Sequence, residues 1–138
     1  MKAVVLHEYG NAENLKFEDN VAEPQVSGNT VLIAAAAASV NPIDWKLRSG
    51  ALQKMFPLTL PAILGRDVSG IVRAVGANVK HFKVDERVLA LSNKTYAELV
   101  AVDDSEVTHL PDGVDLADAA AIPLIALTGD QLCALRQK

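Results

Sequence analysis

Cysteine, long apolar runs and positive charge are scarce in this sequence, and each shortage excludes a class of protein. The single cysteine, Cys133, rules out an internal disulfide and the four-thiolate site of a structural zinc. No apolar run approaches the roughly 20 residues of a membrane-spanning helix. The formal net charge of −4 is the opposite of a basic nucleic-acid footprint. We therefore expect neither a membrane nor a nucleic acid as a partner.

What remains is the composition of an ordinary globular domain. Of the 138 residues, 50% are hydrophobic and 22% are charged, and a chain of this length buries roughly two thirds of its unfolded surface. The N-terminus has one lysine and a brief apolar run, which is typical of a first strand and not of a signal peptide. These features predict a cytoplasmic protein. Cys133 falls in a helical pattern, where we expect a small buried hydrophobe.

Short segments with strand character follow one another along the first part of the chain. Residues 2–7 and 15–19 flank a turn and predict an opening hairpin. Further strands are expected at 30–40, from 67 onward, and at 87–91, 95–102 and 106–110. Gly70, inside the strand that begins near 67, predicts a bulge. Strands of this length and spacing indicate a mainly β barrel or sandwich.

The five consecutive alanines at 34–38 would suit a helix by intrinsic propensity. We predict a strand instead, because Val31 and Ile33 precede the alanines directly and are β-branched. A turn before this segment and the Asn41-Pro42 pair after it mark its two ends.

The pattern becomes helical near the C-terminus. Asp115 is expected to cap a short helix that Pro123 ends. Thr128 has the spacing of a second cap, for a helix over 129–138 that carries Leu132 and Leu135 on one stripe. Nothing later in the sequence could cover that stripe, so we expect a homo-oligomer.

Residues 39–50, which read SVNPIDWKLRSG, have the chemistry of a helix start. Asn41 is a capping residue, Pro42 fits the first turn, and Asp44 adds an acid to that turn. The junction gathers polar side chains where a pocket could form. Two interpretations stay open for Asn41, which could be a plain helix cap or a pocket residue. Two also stay open for Asp44, which could serve only the first turn of the helix or form an ion pair.

The order of four segments carries a resemblance to a known family: SVNPIDWKLRSG, ILGRDVSGIVRAVG, TYAELVAV and LPDGVDLADAAAIPLIALTG. Together they resemble the medium-chain dehydrogenase/reductase superfamily, in its zinc-independent quinone oxidoreductase (zeta-crystallin-like) branch. The resemblance implies a GroES-like, partly open β-barrel with short helices and a C-terminal helical tail. It implies a catalytic domain over 1–124 and, over 125–138, the start of the connection to a dinucleotide-binding domain absent from this sequence.

Two further expectations follow from that resemblance. A dinucleotide fold needs a glycine-rich turn between a strand and a helix, but the glycines at 70 and 76 lie among strand-like residues. Where zinc-bearing relatives have a cysteine this sequence has Asn41, and where they have His-Glu it has Arg66-Asp67. An arginine does not ligate zinc, so we expect no catalytic metal.

The implied activity is NADPH-dependent hydride transfer to a quinone or an α,β-unsaturated carbonyl compound. The negative charge that develops on the acceptor then needs hydrogen-bond donors or a cation, and Asn41 and Lys46 are the candidates. The resemblance places Asn41, Pro42 and Lys46 against the nicotinamide end of NADP(H), with Thr128 near its carboxamide.

Arg66 and Asp44 complete the expected catalytic set. Arg66 and Asp67 are adjacent and should point to opposite faces of a strand, and we expect Arg66 to face the cleft. The competing role for Arg66 is an ion pair that holds the barrel together. The chain alone is expected to be inactive, because the nucleotide-gripping half is missing. The alternative from another class is a non-catalytic GroES-like association or binding module.

Overall fold

The part of the chain that a computed structural model describes, residues 1–135, contains eight strands and three helices. The strands are β1 (Ala3–Leu6), β2 (Leu15–Glu18), β3 (Thr30–Ala37), β4 (Ala62–Ile63), β5 (Asp67–Val75), β6 (Arg87–Leu91), β7 (Leu99–Asp103) and β8 (Val107–His109). The helices are α1 (Pro42–Arg48), α2 (Leu116–Ala119) and α3 (Pro123–Leu135), and short 3₁₀ turns lie at Ala12–Asn14 and Asp104–Glu106. The chain is mainly β, as the sequence predicts.

The strands form two antiparallel sheets that curl into a half-open barrel. One sheet has the order β2-β1-β4 and the other the order β7-β3-β5-β6-β8. Side chains alternate between the two faces of each strand, so every second residue points inward. The inward set forms one core, which includes Val31, Ile33, Val68, Val72, Val88 and Val100. This confirms the GroES-like barrel with short helices and a helical C-terminal tail.

The alanine run is a strand, as predicted, and it explains a glycine on the neighbouring strand. A Cβ on Gly70 would lie 2.1 Å from the carbonyl oxygen of Ala34, so only glycine lets β3 and β5 approach so closely. The bulge predicted at Gly70 is wrong in its position. The register instead shifts at Ala36 on β3 and at Arg73 on β5, where a residue on one strand has no partner on the other.

Several predicted bounds are wrong by a few residues because backbone pairing, and not composition, decides where a strand ends. The strand predicted over 30–40 stops at Ala37. The one predicted over 95–102 begins only at Leu99, since Ala97 makes an isolated bridge to Ala3 instead. The strand predicted from 106 begins at Val107, after a 3₁₀ turn.

The C-terminal section differs most from expectation. Asp115 does cap α2, accepting hydrogen bonds from the backbone N–H groups of Ala117 and Asp118. Pro123, however, begins α3 and does not end a helix, because proline fits the first helical turn. Thr128 therefore lies inside α3 and not at its cap, which corrects that prediction. The end of the helix predicted over 129–138 lies outside the described residues.

The outer side of α3 is exposed. Leu132 and Leu135 are 61% and 70% exposed, so the described residues leave the predicted stripe uncovered. Cys133 is exposed as well, and its predicted burial is wrong because within residues 1–135 no other element packs over this part of the helix. No helix within residues 1–135 is both long and apolar enough to cross a membrane.

Candidate active site

A buried carboxylate, that of Asp67, ties together three separate parts of the chain. Asp67 is the first residue of β5 and is 1% exposed. Its Oδ2 accepts a hydrogen bond of 2.7 Å from the side-chain amide of Asn41 and another from the Ser39 hydroxyl. Its Oδ1 accepts one of 2.7 Å from the backbone N–H of Leu124. The carboxylate therefore joins β5 to the segment before α1 and to the start of α3.

The first turn of α3 lies against Asp67, and this contact explains how the carboxylate is tolerated inside the protein. The first N–H groups of a helix have no partner within the helix and carry a partial positive charge. Leu124 is the second residue of α3, and its N–H points at Asp67. Hydrogen bonds to the charged form replace the water that the buried carboxylate has lost.

Asn41 sits at the cap position of α1 and is also buried. Its backbone N–H donates to Asp44 Oδ2 over 2.7 Å, which is one half of a capping box. Its side-chain NH₂ donates to Asp67 and, over 3.0 Å, to the Ser39 hydroxyl oxygen. Because an amide NH₂ has two hydrogens, both donors of Asn41 are used inside the protein. Its side-chain oxygen faces the backbone N–H of Asp44 in the other half of the capping box, so the polar atoms of Asn41 serve the fold.

Asp44 faces a tyrosine that the sequence analysis did not single out. Asp44 is 3% exposed, and its Oδ1 is buried with no hydrogen-bond partner among the described residues. The Tyr96 hydroxyl is likewise buried and unpartnered there. Burial raises the pKa of Tyr96 well above its usual value, and the nearby carboxylates of Asp44 and Asp67 raise the pKa further. The phenol therefore stays protonated, beside the negative charge of Asp44.

Arg66 turns away from this buried cluster and forms part of the outer wall. Its Nη1 donates to Asn93 Oδ1 over 2.7 Å. No carboxylate forms an ion pair with Arg66 among residues 1–135, so its partner is an amide there. An arginine has five N–H donors, and this contact uses one of them. The guanidinium keeps donors for a ligand.

The Arg66–Asn93 pair separates two hollows. The first, which we call the α3 hollow, has a volume of about 740 Å³. Its lining side chains are apolar except for Arg66, Asn93 and Thr128, and the apolar ones include Ile43, Leu47, Met55, Phe56, Leu58 and Leu124. The second, which we call the β4 hollow, has a volume of about 580 Å³ and reaches Asp44 and the β4 strand. Both volumes suit a small organic ligand.

The predicted site residues divide between these places. Arg66 lines both hollows, Thr128 lines the α3 hollow and Asp44 lines the β4 hollow. Asn41 lies behind them and is connected to the wall through Asp67. These four residues come together around the Arg66–Asp67 step.

Two predicted site residues lie apart from that group. Lys46 is exposed, and its Nζ lies 5.6 Å from the centre of the Trp45 ring, where a cation–π contact satisfies the ammonium. Pro42 is exposed in the first turn of α1. Neither side chain lines the α3 hollow or the β4 hollow.

Three residues of the cluster were missed or undervalued from the sequence. Asp67 was set aside in favour of Arg66, because the two were expected on opposite faces with Arg66 facing the cleft. Asn93 and Tyr96 gave no signal, because each is brought to the site from 27 or more residues away along the chain, opposite Arg66 and Asp44 respectively. Within residues 1–135 no three histidine, cysteine or acidic side chains group in a way that could hold a metal ion.

This geometry suits an uncharged ring that carries a carbonyl oxygen. The apolar walls of the α3 hollow would contact the ring, and the Arg66 guanidinium would donate to the oxygen. A donor that the protein already holds in place stabilises negative charge on such an oxygen. The hollow therefore combines apolar walls with one cationic hydrogen-bond donor.

Comparison with known proteins identifies the family. Residues 27–112 match the family described as the alcohol dehydrogenase GroES-like domain. The chain is 37% identical to the chloroplastic NADPH-dependent alkenal/one oxidoreductase of Arabidopsis thaliana, over 95% of this chain and 36% of that protein. It is 41% identical to the quinone oxidoreductase of Sus scrofa, over 88% of this chain and 37% of that protein.

A solved structure agrees with the fold as well. The crystal structure of Escherichia coli quinone oxidoreductase complexed with NADPH matches with a TM-score of 0.82 at 30% identity, over 93% of this chain and 39% of that one. The chain thus spans well under half the length of these relatives. The family match covers more than half of this chain, and every relative named here is an oxidoreductase. The chain therefore belongs to the alcohol dehydrogenase GroES-like domain family, within the medium-chain dehydrogenase/reductase superfamily and beside its quinone oxidoreductases.

Proposed function

We propose that this chain is the catalytic domain of an NADPH-dependent oxidoreductase that reduces quinones or α,β-unsaturated carbonyl compounds. The observation that carries the proposal is the α3 hollow, an apolar space whose one charged side chain among its lining residues is Arg66. The names of the relatives support the same substrate class. In this proposal residues 1–124 form the catalytic domain, and residues 125–138 begin the connection to a dinucleotide-binding domain.

Arg66 has the electrophilic role. When a hydride reaches a quinone or an enone, negative charge moves to the carbonyl oxygen, where a guanidinium N–H can donate to it. Asn93 holds the guanidinium in place through its side-chain oxygen. Asn41 and Asp44 are positioning residues, because their hydrogen bonds fix the start of α1 and the position of Asp67.

The described residues fit the nicotinamide end of NADP(H) and not its phosphates. Thr128 offers a hydroxyl to the α3 hollow, and Asn41 lies behind the wall, where it holds Asp67 in place. Bound NADPH would supply the hydride. Pro42 and Lys46 lie on the exposed part of α1, where they could contact a cofactor only from outside the two hollows. No role for a metal enters the proposal.

Two parts of the proposal concern the surroundings of the protein. The substrate is a small molecule, and a homo-oligomer stays a prediction that rests on the exposed side of α3. The predicted cytoplasmic location is untested, and the name of the Arabidopsis relative assigns that protein to the chloroplast.

Replacing Arg66 tests the proposal. Tetramethyl-1,4-benzoquinone is a suitable probe, because its fully substituted ring cannot add to the exposed Cys133 thiol. Arg66→Met should weaken binding of this quinone, measured by calorimetry, by about tenfold or more, since a hydrogen bond from a charged donor is lost. The melting temperature should stay within about 2 °C, because Arg66 makes one exposed hydrogen bond.

Lys94→Met is the matched control, because Lys94 lines the β4 hollow and not the α3 hollow. It should leave the affinity for tetramethylbenzoquinone unchanged within about twofold. Equal affinities for wild type and Arg66→Met would overturn the proposed role of Arg66. A chain that binds no quinone, and shows no NADPH binding by nicotinamide fluorescence, would favour the non-catalytic association module.

A further inference from the structure

Tyr96 has no part in the chemistry proposed above, but its ring lies against the backbone that leads into Arg66. We propose that Tyr96 is a positioning residue that fixes the distance between the Arg66 guanidinium and α1. It acts through two contacts, that of its ring with Gly65 and that of its hydroxyl with Asp44. The inference rests on the proposed function, because the position of the guanidinium matters only if Arg66 binds the substrate.

The guanidinium of Arg66 needs support from the backbone. Within residues 1–135 its side chain makes one hydrogen bond, to Asn93 Oδ1 over 2.7 Å, on the exposed side of the protein. A single bond to a neutral acceptor at an exposed position contributes little to holding a charged side chain. The position of the guanidinium therefore depends on where the backbone places the α-carbon of Arg66.

The backbone around Arg66 is tied to residues 92–96, which we call the 92–96 segment. The Ser92 N–H donates to the Arg66 carbonyl oxygen over 2.7 Å, and the Tyr96 N–H donates to the Leu64 carbonyl oxygen over 3.0 Å. These two bonds leave one residue between them, and that residue is a glycine. The 92–96 segment thus supports the backbone on both sides of this glycine.

The glycine, Gly65, has a φ of +99°, a backbone conformation that residues with a Cβ rarely adopt. A Cβ at this position would lie 2.7 Å from one ring carbon of Tyr96 and closer still to the Thr95 hydroxyl oxygen. The space beside Gly65 is therefore already filled. The Tyr96 ring lies directly on the backbone that precedes Arg66.

The far end of the same ring faces α1. The Tyr96 hydroxyl and Oδ1 of Asp44 are both buried, and neither has a hydrogen-bond partner among the described residues. A phenol O–H donates and a carboxylate oxygen accepts, so the two groups can satisfy each other. Burial and then the charge of Asp44 raise the pKa of Tyr96, as expected for a carboxylate close to a protonated phenol.

Through Asp44, the tyrosine reaches the helix that contributes to the α3 hollow. Asp44 belongs to the capping box of α1, and the same helix carries Ile43 and Leu47, which line the hollow together with Arg66. Tyr96 therefore connects the helix with two apolar lining residues to the backbone that carries the guanidinium. The distance between these two parts decides whether a ring and its carbonyl oxygen are contacted at the same time.

A double-mutant cycle with Arg66 tests the inference. Tyr96→Phe removes the hydroxyl and keeps the ring on Gly65. It should weaken the binding of tetramethyl-1,4-benzoquinone, measured by calorimetry on the whole chain, about three- to fivefold. In the Arg66→Met background the same change should alter the affinity by less than about 1.5-fold, because no guanidinium is left to position.

Thr95→Val is the matched control. Thr95 lies against the same glycine, and its hydroxyl is also buried without a hydrogen-bond partner among the described residues. The change removes a buried hydroxyl from the same segment, keeps the branched shape of the side chain and leaves Tyr96 in place. It should keep the quinone affinity within about 1.5-fold of wild type, since an unpaired hydroxyl contributes no hydrogen bond.

NMR reports the position of the guanidinium directly. The Nε–H signal of Arg66 should shift in Tyr96→Phe and stay in place in Thr95→Val, whereas a tyrosine that only stabilises the fold would leave this signal unchanged. Proton NMR on wild type needs no variant. A phenol O–H that donates to a buried carboxylate exchanges slowly with water, so the Tyr96 hydroxyl proton should be visible. A proton lost to rapid exchange would overturn the inference.

The outcomes separate this inference from the proposed function. If Arg66→Met weakens quinone binding but Tyr96→Phe does not, the inference is wrong and the proposed function stands. The same holds if Tyr96→Phe weakens binding equally in both backgrounds, or if Thr95→Val weakens it as much. If Arg66→Met binds the quinone as well as wild type does, the proposed role of Arg66 fails and this inference fails with it.

Discussion

Arg66 and Asp67 are adjacent in the chain, yet they belong to two regions that differ in burial and in hydrogen bonding. Asp67 points inward, is almost fully buried and accepts three hydrogen bonds from groups up to 57 residues away. Arg66 points outward, lines two hollows and makes one hydrogen bond to an exposed amide. Arg66 lies in the bend before β5 and Asp67 is the first residue of β5, so this one dipeptide step supplies both.

The difference between the two regions separates stability from ligand chemistry. On the buried side, the hydrogen-bond donors and acceptors pair with one another, so removing one side chain leaves unpaired polar groups in the protein interior. On the exposed side, Arg66 has unused N–H donors beside apolar walls, so removing that side chain should change ligand affinity more than stability. Three predictions test this division, beginning with the largest effect on stability.

Removing the Asp67 carboxylate should cost more stability than any other change discussed here. Asp67→Ala leaves buried donors of Asn41, Ser39 and Leu124 without their acceptor. We expect the free energy of unfolding to fall by at least about 3 kcal/mol, or roughly 10 °C in melting temperature. Asp112→Ala, in an exposed turn, is the control and should change stability by no more than about 0.5 kcal/mol. A loss for Asp67→Ala no larger than that of the control would contradict the division.

Tyr96 should produce a smaller effect that appears only at high pH. Its pKa is raised in the folded protein, chiefly by burial. Folding therefore favours the protonated phenol, and this contribution is complete below the unfolded pKa of about 10 and is lost as the pH rises above it. Between about pH 10 and pH 11.5 the wild type should lose about 1 kcal/mol more than Tyr96→Phe, after allowance for solvent at the half-buried ring.

Absorbance spectroscopy checks that the pKa of Tyr96 is raised and not lowered. The chain has two tyrosines, so Tyr9→Phe leaves Tyr96 as the one that titrates. Its tyrosinate absorbance should appear above the ordinary tyrosine pKa of about 10. A midpoint at or below 10 would mean that the phenol is not buried against the two carboxylates.

The exposed side of α3 should affect association and leave stability nearly unchanged. Leu132 and Leu135 are largely exposed, so the pair Leu132→Glu and Leu135→Glu removes apolar surface that contacts no core residue. Sedimentation velocity should show self-association of the wild type and a monomer for the double variant, with unfolding free energies within about 0.5 kcal/mol of each other. A monomeric wild type at high concentration would remove the basis for the predicted homo-oligomer.

Local chemistry explains which predictions succeeded. The start of α1 at Asn41-Pro42 and the cap at Asp115 depend on a few consecutive residues, and both are confirmed. The alanine strand is confirmed because its flanks outweighed helix propensity. The end of a helix at Pro123 was wrong for a reason that is also local, since proline fits a helix start as well as it ends one. In the fold, the N–H of Leu124, next to Pro123, donates to Asp67, which is consistent with a helix start there.

The sequence alone determined the class of the fold, the order along the chain of seven of the eight strands described, all but β4, and the family to which it belongs. Each of these depends on runs of neighbouring residues, because period-two alternation, turn residues and helix caps act over short distances in the chain. Tertiary structure alone decided that Asn93 meets Arg66, that Leu124 meets Asp67 and that two hollows share one wall. Such pairings join residues far apart in the chain, and no local pattern specifies them, because they arise only when the strands close into the barrel.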